Sequence, residues 1–301
     1  MSIRIDEGVD LGDLSAAWAW EEATGRGVRV AVIDSGIEAD HEDLGGCVDV
    51  AGGVEIVGED GDAKIVTGPH EDVFGHGTAC AGIIHSIAPE ATITSVRVLG
   101  PRLGSTSIQF LRALEWTVDQ GFDVVNLSLG TKKREWALDF HEVCDRAYFE
   151  GIMLVTAANN IMQPSYPSVY ASVTSVACNL AKDAQRYHYN PDPPTEFLAR
   201  GIDVDVAWRG GGRSSGTGNS YAAPHISGIV ALIRSKHPDL LPFQVKSVLY
   251  ALAANVKRGG QIDRPEIAGR VTRAATGIAS YRRSQILAVP GAGGPTDRSR
   301  A

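Results

Sequence analysis

The chain has 301 residues, 44% of them hydrophobic, and carries 28 basic against 36 acidic side chains for a formal net charge of -8. Its length and apolar share suit one large core, with no linker-like cluster of Gly and Pro inside it, so residues 1–285 are expected to form one domain and the Gly-, Pro- and polar-rich stretch 286–301 a disordered tail. The acidic balance argues against a nucleic acid or an anionic membrane as partner, and no apolar run reaches membrane-spanning length.

The opening MSIRIDEGVD has neither a basic and then apolar leader pattern nor a lipidation signal, so the expected location is the cytoplasm. The cysteines, Cys47, Cys80, Cys144 and Cys178, lie far apart with no CxxC spacing, which predicts free thiols rather than a disulfide framework or a metal site. Apolar runs at 28–33, 92–99, 122–129 and 152–158 are rich in Val and Ile without polar alternation, as parallel strands buried on both faces require. A helix is predicted at 107–120, with Ile108, Leu111, Leu114 and Val118 on one face, and another at 135–150; Gly121 and Gly151 then serve as C-caps. This alternation implies an α/β sandwich whose functional loops gather at the carboxyl ends of the strands, and Asp34 ends the first of them. A helical run, 79–84, follows His76. A longer one follows Ser220, with Ala222, Ala223, Ile226, Ile229, Val230 and Ile233 apolar and Pro224 tolerated in the first turns. His76 and Ser220 therefore both enter from helix starts, where partial positive charge suits a developing oxyanion.

Three stretches, VAVIDSGIEADHEDL around Asp34, FGHGTACAG around His76 and GTGNSYAAPHISG around Ser220, supply an acid, a base and a hydroxyl in that chain order. A hydroxyl nucleophile must pass its proton to a base, and the base must be held in one tautomer by a carboxylate. Singly, each motif has a structural reading: an Asp-Ser-Gly is often only a turn. Jointly, and in this order, they resemble the subtilisin-like serine proteases, the subtilase family, over residues 8–256. The resemblance implies a subtilisin-like three-layer sandwich with a mostly parallel central sheet.

It further implies that Asp34 orients the imidazole, His76 is the general base and then acid, and Ser220 is the nucleophile. The family's oxyanion asparagine ends an AAGN segment. Here the segment reads Ala157, Ala158, Asn159, Asn160, which gives Asn160 the role and leaves Asn159 in place of the glycine, beside the substrate; a one-residue shift would promote Asn159 instead. Asn accepts left-handed backbone angles better than other side chains, so that exchange is mild if the position needs them. An extended peptide or protein substrate would pair with two edges, Leu103-Gly104-Ser105 and Ser128-Leu129-Gly130, with Gly104 and Gly130 permitting close backbone approach.

Departures from the family pattern shape further expectations. Thr131 and Ile161 stand where glycine and an acid are common, which favours an uncharged, apolar residue before the scissile bond; Phe110 and Leu129 are candidates for a second apolar pocket. Asn219 replaces threonine and is expected to keep a polar group beside the oxyanion, and Tyr221 replaces methionine. The family's calcium loop is missing, because Gly82 runs almost directly into Ala88-Pro89. Asp43 alone matches a calcium ligand, too few oxygens for a hard cation, so no metal or cofactor is expected, although calcium is compatible with the family. His70, His85 and His225 are taken as structural, and Cys80 as a small core residue. Fewer than thirty residues precede the first strand, too few for a pro-domain, so the expected role is an intracellular processing endopeptidase acting on a leader or precursor. Two alternatives stay open, a peptide-binding protein with the fold but little activity and a peptide ligase or macrocyclase. The oligomeric state is not legible.

Overall fold

The structure, a computed structural model, describes residues 14–58, 62–161, 163–257 and 260–263. Strand β1 (Arg29–Asp34) shows how the layers arise. Val30 and Val32 pack into the apolar layer on one face of the sheet and Ala31 and Ile33 into the layer on the other, none more than 1% exposed. A fully buried Val or Ile side chain contributes about 1.5–3 kcal/mol, so a strand apolar on both faces is held in the middle of a sandwich rather than at its surface.

The chain continues through β2 (Val54–Val57), β3 (Lys64–Thr67), β4 (Thr92–Arg97), β5 (Val124–Leu127), β6 (Met153–Ala157), β7 (Thr174–Asn179), β8 (His188–Tyr189) and β9 (Phe197–Arg200). These hydrogen-bond in the order β3-β2-β4-β1-β5-β6-β7-β9-β8; every pairing from β2 across to β9 is parallel, and the edge strands β3 and β8 are antiparallel. A separate antiparallel ribbon joins β10 (Val204–Trp208) to β11 (Gly212–Gly216). The helices are α1 (Ala16–Ala19), α2 (His76–Ile87), α3 (Ser107–Asp119), α4 (Ala137–Phe149), α5 (Asn219–Lys236) and α6 (Pro242–Leu252). Buried residues of α2, α5 and α6 share one apolar layer, those of α3 and α4 the other. This is the expected three-layer α/β sandwich.

The predicted strands are present with small shifts at their ends. The run at 122–129 pairs only over 124–127, because Ser128 to Gly130 leave the sheet to form a cleft wall. The helix expected at 135–150 begins with a 3-10 turn, Arg134–Trp136, before α4. Gly121 and Gly151 follow their helices at φ +63 and +85, the left-handed C-terminal geometry that glycine accepts without strain. The tail at 286–301 and residues 8–13 of the resembling segment lie outside the described residues. Among the described residues no helix is long and apolar enough to cross a membrane.

Strand β1 lies between β4 and β5, so the connections leave it in one direction and later return to its other side. A crevice opens at such a reversal, beyond the carboxyl ends of the parallel strands. Asp34 ends β1, Ser128 stands just past β5 and Asn160 just past β6, so the topology alone brings the candidate residues to one edge.

Candidate active site

Asp34 is fully buried, and its carboxylate accepts from the Ser35 backbone N–H at 2.7 Å. His76 opens α2 and sets Nδ1 at 2.9 Å from both oxygens of that carboxylate. With Nδ1 donating to the acid, Nε2 is left as the nitrogen that can take a proton. Burial by itself pushes the imidazole pKa down, but the Asp34 carboxylate more than reverses this and holds it well above its ordinary value. The contact requires a glycine after the histidine: a Cβ on Gly77 would lie 2.0 Å from the Gly36 carbonyl oxygen and 3.2 Å from Asp34 Cβ, so any side chain there would lever α2 off the end of β1.

A residue the motifs did not single out fastens this junction. Asp72 is buried and accepts from Ser35 Oγ, the backbone N–H groups of Phe74, Gly75 and Thr78, and Thr78 Oγ1, all at 2.7–2.9 Å. It thereby ties the end of β1 to the start of α2. The only signal in EDVFGHG is an acid two and three residues ahead of the N–H groups it bonds, the pattern of a side-chain-closed turn. Asp72→Ala strands all five donors and is expected to cost about 3–5 kcal/mol, read as a lower urea midpoint, with Asp72→Asn losing less because one acceptor oxygen remains. An unchanged midpoint for the alanine variant would refute that role.

Ser220 is the second residue of α5, and the segment before it is bound to the loop after β6 that carries Asn160. Asn219 N–H donates to Asn160 Oδ1 at 3.0 Å. The Asn219 side chain is fully buried; it accepts from Cys178 N–H at 2.9 Å and donates to the carbonyls of Ala158 at 3.0 Å and Asn159 at 3.2 Å. The expectation that it stays beside the oxyanion is therefore corrected: its amide points inward, where an asparagine reaches partners on β7 and past β6 together. Because Asn160 Oδ1 already accepts a bond, its Nδ2 is the free donor.

Ser128 donates to the Ser220 carbonyl at 3.0 Å and accepts from Asn126, which in turn accepts from Ser227 on α5. Cys80 lies beneath, fully buried, with Sγ 3.7 Å from Asp34 Oδ2, 3.4 Å from Ser128 Oγ and 3.6 Å from the Ser220 carbonyl. It is a core residue as expected, but one that floors the site. Burial raises its pKa, which keeps it a neutral thiol and not a competing nucleophile. The ring of Tyr221 packs edge-on against His76 with centroids 5.3 Å apart.

His76 and Ser220 line one cleft of about 370 Å³ together with Leu103, Gly104, Ser105, Ser128, Leu129 and Gly130. Phe110, buried against Phe140, and Thr131 also line it, and Thr131 Oγ1 meets Ser107 Oγ at 3.0 Å, joining the two walls. Three expectations change. Leu103 to Ser105 form no strand: Leu103 closes the Pro101–Arg102 turn on the Gly100 carbonyl at φ +56, and Gly104 and Ser105 are irregular. Gly130 is needed for close approach by the chain itself, since a Cβ there would meet Ser165 Oγ at 2.2 Å, whereas Gly104 faces open space. Neither Asn159 nor Asn160 is among the residues lining this cleft; the Asn159 amide closes its own loop on Ile161 and Gln163, and its φ is not positive, so no glycine-like freedom is used there.

The three histidines read as structural are tied to the chain itself or shifted by burial. His225, held at about 4 chiefly by burial, bonds the Tyr221 carbonyl through Nδ1, and His70 bonds Ser95. Burial likewise lowers the pKa of His85. All four cysteines are free. Asp34, His76 and Cys80 offer donor atoms within 4.8 Å of one another, but these groups already bond each other. Asp43 is ion-paired with Arg213, whose guanidinium also pairs with Asp205 at 2.9 Å. With its one matching carboxylate so engaged, this place does not fit a hard cation that takes six to eight oxygens.

The sequence model of the Subtilase family matches residues 25–269. The chain is 32% identical over 257 residues to the minor extracellular protease Epr of Bacillus subtilis, covering 78% of this chain and 38% of that protein. It is 31% identical over 245 residues to subtilisin E of the same organism, covering 76% of this chain and 61% of the relative. The chain thus spans less than two thirds of these relatives. A crystal structure of a cold adapted subtilisin-like serine proteinase superposes with a TM-score of 0.59 at 25% identity, over 74% of this chain and 81% of that one. Residues 25–269 make up most of this sequence, and the chain belongs to the subtilase family.

Proposed function

We propose that the chain is a serine endopeptidase. The observation that carries the proposal is the buried Asp34 carboxylate 2.9 Å from His76 Nδ1, with His76 and Ser220 on one peptide-sized cleft. Ser220 Oγ attacks the scissile carbonyl carbon while its proton passes to His76 Nε2. The resulting oxyanion is held by Asn160 Nδ2 and the Ser220 backbone N–H. As the tetrahedral intermediate collapses, His76 gives its proton to the departing amine and leaves an acyl ester on Ser220. Water attacks the ester by the same route and regenerates the hydroxyl.

Asn160→Ala removes one oxyanion donor and is expected to lower kcat by about 10²–10³ with KM little changed, a magnitude taken over from a subtilisin. A change confined to KM would place Asn160 in substrate binding instead. Because Asp43 is neutralised by Arg213, a calcium chelator is expected to leave Tm unmoved; a fall of several degrees would reveal a bound ion.

The finer reading is a cytoplasmic processing peptidase for a leader or precursor peptide. The free cysteines, three of them buried, suit a reducing compartment. The Ser107–Thr131 bond across the cleft suits a selective site better than an open one. Cleavage of a diverse peptide library by the wild type beside Ser220→Ala tests both levels. Ser220-dependent cuts at a narrow set of sequences support the proposal, no cuts in either protein favour a peptide binder, and digestion of unfolded casein as fast as the best peptide removes the processing role.

A further inference from the structure

The cleft has a charge opposite to that of the chain. The two segments that wall it, 99–107 (LGPRLGSTS) and 128–134 (SLGTKKR), contain Arg102, Lys132, Lys133 and Arg134 and no acidic residue, in a chain where 36 acids outnumber 28 bases. All four cations are exposed, and among the described residues none of them forms an ion pair. Apart from His76, Lys133 is the one ionisable side chain on the cleft lining, with Lys132 and Arg134 beside it on the same wall and Arg102 next to Leu103 on the wall opposite.

A concave site lined by one sign of charge concentrates its potential and so favours ligands of the opposite sign. We propose that this cleft selects peptides carrying Glu or Asp a few positions from the scissile bond, on the side that lies along these walls, with Lys133 as the principal contact. The inference deepens the peptidase reading and rests on it for turnover, but not for binding. Exposed pairs are individually weak, so one acidic residue facing Lys133 with support from its neighbours should change kcat/KM about 3- to 10-fold at low salt.

The test uses ten-residue Ala/Ser peptides with a single central Leu, carrying Glu, Gln or Lys at each other position in turn. Two quantities are read: kcat/KM with the wild type, and Kd by fluorescence anisotropy with Ser220→Ala, which reports binding even if no peptide is cut. The expected result is a Glu over Gln preference at one or two adjacent positions, falling below about 2-fold in 0.5 M salt because exposed charges are then screened. Lys133→Glu should invert the order of the Glu and Lys peptides; the ratio cancels any general loss of activity. Equal handling of Glu and Gln peptides in both measurements overturns the proposal. A Glu preference that survives Lys133→Glu unchanged overturns its assignment to this wall. Absence of any Ser220-dependent cut, with the anisotropy preference intact, defeats the peptidase reading and leaves the acidic-peptide site standing.

Discussion

Ser220→Ala is expected to lower kcat by about 10⁶, the loss known for this step in a subtilisin and taken over at that size. The magnitude follows from the chemistry: without the hydroxyl there is no acyl ester, and whatever rate survives comes from direct attack by water. The fold should not notice. Ser220 Oγ makes no hydrogen bond among the described residues, while the local structure is held by the Ser220 carbonyl, the Asn219 side chain and Asn126, none of which the substitution touches. Activity should therefore collapse at an unchanged Tm. Equal loss of both would mean that Ser220 is structural.

Asp34→Asn should cost about 10⁴ in kcat, again the order seen for the acid of such triads, and should also move the pH profile. A general base works only when unprotonated. Burial depresses the His76 pKa and the Asp34 carboxylate overrides it upward, so in the wild type the acid limb of kcat/KM lies above the ordinary imidazole value and activity rises with pH through it. The amide that Asp34→Asn introduces carries no charge, burial then dominates, and the residual activity should show its acid limb displaced to lower pH. Stability runs the other way. The folded imidazole has the raised pKa, so the imidazolium–carboxylate attraction contributes fully below the unfolded value of about 6.5 and is lost as pH climbs through the folded value. Activity and this part of the stability thus have opposite pH dependences. An acid limb that Asp34→Asn leaves in place would show that Asp34 does not set the titration of His76.

Much of this architecture could be read before any coordinates. Runs such as 28–33 carry Val and Ile on both faces, which only the interior of a parallel sheet satisfies, and the glycines after α3 and α4 mark where those helices stop. The ribbon of β10 and β11 was not legible. GRSSG in β11 has no apolar alternation, and the strand is placed by antiparallel backbone pairing with β10, from Val204 opposite Gly216 to Trp208 opposite Gly212. The same divide runs through the site. Asp34, His76 and Ser220 announce themselves by motif, because their chemistry constrains their neighbours. Asp72 does not, since its task is to accept hydrogen bonds from a loop whose shape only the folded chain defines. The direction of Asn219 is hidden from the sequence for a related reason: a polar residue beside a nucleophile can face the cleft or the interior, and which it does depends on the carbonyls of Ala158 and Asn159 brought alongside by β6. The Asn159 amide bonds within its own loop, and Gly130 both lines the cleft and makes room for Ser165, contacts that a one-dimensional pattern does not contain.

The central claim is that Ser220 is a hydroxyl activated by a buried His76–Asp34 pair. The most direct measurement is reaction of the full chain with a fluorophosphonate, followed by intact mass and peptide mapping, across a pH series and beside Ser220→Ala and His76→Ala. The expected result is one adduct per chain, on Ser220, absent from both variants, with a rate that falls as the pH is lowered through the raised His76 pKa. An unmodified Ser220, or labelling at the same rate without His76, would contradict it.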